Sequence, residues 1–162
     1  VHSFEAERGW DGPSNNEWNH QANSHVLHTI GELQFEVHCT PGHTPGHVTF
    51  IGEGVVISGD CMFLGSCGRT DLFGGDIDAQ KKSLLYLRNR LQQVPGDWYV
   101  LPGHQYALSD GNNPTYITVE KLLLQNEALL ALDNDEDWAK LDFLAFDDNM
   151  AEKARRERAK HS

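Results

Sequence analysis

"EVHCTPGHTPGHVTF", Glu36 to Phe50, sets three histidines, two prolines and two glycines between two apolar runs. His43 and His47 are four apart, a spacing that on a helix would place both on one face as zinc ligands. That helix is excluded, because Pro41 and Pro45 remove amide donors and Gly42 and Gly46 raise the entropic cost of ordering the backbone. The stretch reads as a tight loop between two strands. A loop fixed by proline and opened by glycine can hold an imidazole rigidly at the end of a sheet, which is the posture of a metal ligand.

Two other segments repeat the arrangement. An apolar run, Val55 to Ser58, leads into Gly59 and Asp60, and a second, Trp98 to Leu101, leads into Pro102, Gly103 and His104. A lone histidine after a strand is usually a satisfied or exposed side chain. Three ligand-type residues, each following a strand and each with its glycine, point to convergence at one end of a sheet. The spacing predicts that the ligand atoms of His43, Asp60 and His104 lie within about 7 Å of one another, a span that a pair of ions about 4 Å apart can bridge.

The surrounding chain supplies the sheet and its cover. Leu33 to Val37 alternates as a half-buried strand does, with Gly31 as a turn residue before it, and strands follow at Val48 to Ile51 and Val55 to Ser58. The period then changes. Leu84, Leu87, Leu91 and Val94 recur at helical spacing, with Asp76 or Asp78 as the cap and Pro95-Gly96 as the stop. This helix should lay its leucines on the sheet and turn Lys82, Arg88 and Arg90 outward. Asn113 and Pro114 read as the cap and first residue of a second helix running to about Leu132, closed by the acidic run "DNDED". Residues 1–30 read as an irregular leader or connector from an upstream half, and residues 133–162 as an acidic segment followed by a charged helix over 149–162.

Composition limits the partners. The 162 residues make room for one domain, and a formal net charge of -11 argues against nucleic acid or an anionic membrane surface. No apolar run is long enough to cross a bilayer. Cys39, Cys61 and Cys67 form no Cys-x-x-Cys pair, so they read as reduced, buried thiols of a cytoplasmic protein rather than a disulfide framework or a thiolate metal site.

"TPGHTPGH", "SGD", "CGRTD" and "LPGHQY" together resemble the second half of the metallo-β-lactamase superfamily, in its glyoxalase II-like and persulfide dioxygenase-like branch. The resemblance is specific from about Gly31 to Tyr106. It implies an α/β fold, the αββα sandwich, of which this chain holds the C-terminal half over residues 31–132. It further implies that His43 ligates a first metal, Asp60 bridges two metals or binds a single iron, and His104 ligates a second metal. Arg69 either forks onto a substrate carboxylate or pairs with Asp71, and Tyr106 either contacts substrate or packs.

Members of that family carry an upstream His-x-His-x-Asp-His segment, and none of the nine histidines here forms it. His25 and His28 have the wrong spacing. The chain alone is therefore expected to bind metal weakly and to be inactive, with homodimerisation or association with the missing half as ways to cover apolar surface. For the complete protein the resemblance implies a two-zinc hydrolase of a glutathione-linked thioester such as an S-acylglutathione. The alternatives are a one-iron glutathione persulfide dioxygenase and a catalytically dead binding module of the same fold.

Overall fold

The computed structural model describes residues 1–7 and 17–141, with Arg156 and Ala159 beside them. Of the helix expected over 149–162, the described residues are Arg156 and Ala159, both helical, and the rest lies outside the described residues. Six strands form one sheet in the order β1 (His25–Ile30), β2 (Leu33–Cys39), β3 (Val48–Gly52), β4 (Val55–Gly59), β5 (Tyr99–Pro102) and β6 (Ile117–Thr118). Every neighbouring pair is antiparallel except β4 and β5. Parallel strands need a crossover, and it is made by α2 (Ile77–Leu91).

Strand register explains where the core sits. Ile51, Val56, Val100 and Ile117 are successive cross-strand partners, so they share one face. They pack against Leu84, Leu87 and Leu91 of α2, all fully buried. The leucine stripe thus meets the sheet as its spacing predicts. Asp76 caps the helix, its carboxylate accepting from the Ala79 amide at 2.8 Å. Lys82 is exposed. Arg88 and Arg90 are only half exposed, because each guanidinium forks onto a carboxylate, Asp133 and Glu36 respectively.

The opposite face carries Val37, Phe50, Ile57 and Leu101 in one cross-strand row. Trp18 lies edge-on against His28 and Phe50 there. Ile30, Leu33, Ile57 and Tyr99 remain exposed. One sheet with helices on one of its faces corresponds to half of a four-layer αββα sandwich.

Several local expectations are corrected. Residues 25–30, inside the supposed irregular leader, form strand β1, joined to β2 by a two-residue turn with Gly31 at φ +63°. A short helix, α1 (Phe4–Glu7), lies in the same stretch. Asn113 and Pro114 do not start a helix. Ile117 and Thr118 pair with β5 so that Ile117 can enter the core, and the helix α3 (Val119–Gln125) begins after Thr118, whose hydroxyl accepts from the Lys121 amide. That helix ends early at Asn126, which is fully buried and non-helical. Its side chain donates to the Phe63 and Ser66 carbonyls and accepts from the Leu129 amide, capping α4 (Glu127–Leu130). A 3₁₀ turn, Ala131–Asp133, follows, and Asn134 in the acidic run caps a further helix, α5 (Asp135–Ala139). Trp138 of α5 joins the core beyond the boundary drawn at residue 132.

Candidate metal centre

The sheet topology brings the three sequence-predicted residues to one edge. β4 and β5 run parallel, so Asp60 after β4 and His104 after β5 emerge at the same end. β2 is two antiparallel steps from β4 and therefore runs in the same direction, which puts the loop after Cys39, with His43, at that end too. Ligands of open α/β sheets gather outside the carboxyl ends of parallel strands for this reason.

The geometry is tight. Asp60 Oδ2 lies 3.4 Å from His43 Nε2 and 3.4 Å from His104 Nε2, which places the two nitrogens within about 7 Å of each other. His43 Nδ1 sits 2.8 Å from the Arg69 carbonyl oxygen. A carbonyl only accepts, so Nδ1 carries the proton and a neutral His43 presents the Nε2 lone pair toward Asp60. Two acceptors at that separation need a proton or a cation between them. Two imidazoles and a carboxylate form a donor set suited to zinc or iron, with the Arg69 carbonyl orienting the first ring.

His47, the second histidine of the opening stretch, does different work. Its Nε2 accepts from the backbone amides of Asp60 at 3.1 Å and Cys61 at 3.2 Å, and its Nδ1 bonds Thr40 Oγ1 at 2.9 Å. It therefore fixes the turn that aims Asp60. Gly59 allows this approach: it sits at φ +52°, and a Cβ there would press on His47 Nε2. Burial, followed by the neighbouring His43, pushes the His47 pKa down to about 3. His38 is also buried, and burial holds its pKa down to about 4 against the opposing pull of Glu36.

These two rings set a pH dependence. In the unfolded chain both take up a proton below about pH 6.5, whereas in the folded, metal-free chain neither does until far lower. Stability is expected to be intact above pH 6.5 and to fall as pH drops toward about 4, by up to about 1.4 kcal/mol per pH unit for each ring. Urea unfolding in the presence of a chelator between pH 7 and 5 measures it. A flat profile across that window would contradict the neutral assignments.

Arg69 Nε and Nη2 meet Asp71 Oδ1 and Oδ2 at 2.7 and 2.8 Å, so of the two readings of this guanidinium the structure carries the pair with Asp71. Tyr106 is exposed, its ring 4.9 Å from Phe63 and 6.2 Å from His104. Cys39, Cys61 and Cys67 are free and buried, and burial raises the first two thiols to about 11 and about 12. None is poised as a thiolate.

Residues 12–104 match the family model described as the metallo-beta-lactamase superfamily. The chain belongs to that superfamily. Among curated relatives, a hydroxyacylglutathione hydrolase of Idiomarina loihiensis is 36% identical over 100 residues, covering 62% of this chain and 37% of the relative. A hydroxyacylglutathione hydrolase of Tolumonas auensis is 41% identical over 85 residues, covering 52% of this chain and 30% of that protein. The chain thus spans about a third of the length of these curated relatives, 37% and 30%. Among solved structures, the BLEG-1 B3 metallo-beta-lactamase superposes with a TM-score of 0.56 at 30% identity, over 74% of this chain and 50% of that one. ETHE1 from Myxococcus xanthus gives 0.56 at 23% identity over 94% and 64%, a likeness of fold. Among the described residues, no helix is long and apolar enough to cross a membrane.

Proposed function

We propose that His43, Asp60 and His104 are metal ligands of a cytoplasmic hydrolase acting on a glutathione-linked thioester such as an S-acylglutathione. The observation that carries this is the placement of Asp60 Oδ2 at equal 3.4 Å distances from two imidazole nitrogens, one of them held by a backbone carbonyl in the tautomer that frees it. Asp60 would be shared by two ions, with His43 on one and His104 on the other. Bound zinc would supply Lewis acidity and a water acidic enough to attack near neutral pH. The chain's own part is positional: His47 and Gly59 aim Asp60, the Arg69 carbonyl aims His43, and Tyr106 stands exposed beside His104 where a substrate could reach its hydroxyl. Arg69 contributes to substrate binding only if substrate displaces Asp71. The remaining donors come from sequence outside this chain, so the chain by itself is expected to hydrolyse nothing.

His104→Ala in the full-length protein tests the reading. A two-metal hydrolase should lose one equivalent of metal and most of its thioesterase rate, on the order of 100-fold or more. Retained thioester hydrolysis with a single metal bound would overturn it. Unchanged iron content with continued oxygen uptake would replace it with the dioxygenase, and absence of metal from the wild-type protein would leave a binding module.

A further inference from the structure

A second group of metal-binding side chains lies on the face of the sheet that meets α2, formed by residues that the strand-end site does not use. His25 of β1 is the direct cross-strand partner of His38 of β2, and their rings stand 4.8 Å apart between centroids. Glu36, two residues from His38 on the same strand, shares that face. One ligand atom from each of His25, Glu36 and His38 falls within 4.8 Å of the others. Around a tetrahedral ion with bonds of about 2.05 Å, donor atoms sit roughly 3.3 Å apart. An exposed His25 can make up the difference by a small side-chain rotation.

We propose that His25, Glu36 and His38 form a second metal site, for a divalent transition ion of the zinc class. Two of the three, His38 and Glu36, already have outer partners of the kind metal ligands use. His38 is fully buried, with Nδ1 2.7 Å from the Tyr86 hydroxyl and Nε2 2.9 Å from Glu36 Oε2, where an ion would replace the shared proton. Glu36 is steered by Arg90, whose Nε and Nη2 lie 2.8 Å from its two oxygens. The guanidinium orients the carboxylate but offsets part of its charge, so affinity should be moderate. An ion here would staple the edge strand β1 to β2 and, through Tyr86 and Arg90, to α2.

The test is zinc titration of the full chain carrying His43→Ala and His104→Ala, which removes the strand-end site and so separates the two proposals. One equivalent of zinc should bind and raise the melting temperature. Adding His25→Ala, at an exposed position, should weaken binding by about tenfold or more and remove the thermal gain. Glu36→Gln, which keeps a hydrogen-bonding group for His38 and Arg90, should do the same. Failure of the double variant to bind zinc, or affinity within twofold after His25→Ala, overturns the proposal.

Discussion

Asp60→Ala in the full-length protein is expected to lower turnover by on the order of a thousandfold while shifting stability little. Asp60 lies 3.4 Å from both His43 and His104, and its side chain is partly exposed rather than built into the core. Removing it takes away the shared ligand, and with it stabilisation of several kcal/mol in the transition state, each 1.36 kcal/mol or so being a factor of ten in rate. The turn that carries Asp60 is held through its amide by His47, and that bond survives the substitution. Turnover and melting temperature measured on the same preparation separate the two effects. A fall in both to the same degree would make Asp60 a structural residue.

Gly68→Ala is the second change with a large expected effect. Gly68, in "CGRTD", packs so closely on Asp60 that an added Cβ would overlap the Asp60 carbonyl oxygen, and it would lie 3.2 Å from His43 Nδ1. Backbone cannot rotate away as a side chain can. The loops bearing two ligands must therefore part, at a cost of about 1–3 kcal/mol in stability. Metal affinity should fall about 10- to 100-fold, because the Arg69 carbonyl that orients His43 follows directly in the chain. Gly54→Ala is the matched control. Gly54 sits at φ +79° with open space around it, so alanine should cost about 1–2 kcal/mol from backbone strain and leave metal binding unchanged. Equal metal affinity in the two variants would contradict the account of "CGRTD" as a packing motif of the site.

How far the site could be read in the sequence follows from how local its signals are. Each ligand stands at the end of an apolar run with its own glycine, so "TPGH", "SGD" and "PGH" announced strand, turn and donor within a few residues. The leucines of α2 were equally local, and the structure buries all three. The role of His47 was not legible, because its two amide donors lie 13 and 14 residues away and become neighbours only when β3 and β4 pair. Strand β1 was missed because its α2-facing positions, His25, Leu27 and Thr29, are exposed at the sheet edge and show no alternation of apolar and polar residues. Asn113-Pro114 is a sound local helix start that lost to a tertiary demand, the burial of Ile117 beside Val100. Arg69 was ambiguous for a similar reason: a guanidinium two residues from a carboxylate can serve either neighbour or ligand, and only the fold shows it on Asp71.

The central claim is that His43, Asp60 and His104 together hold metal. An anomalous difference map from crystals of the full-length protein grown with zinc measures this directly. The account predicts density within about 2.0–2.2 Å of His43 Nε2, His104 Nε2 and an Asp60 carboxylate oxygen. Zinc bound elsewhere, with His43 and His104 still facing Asp60 and no ion between them, would contradict it.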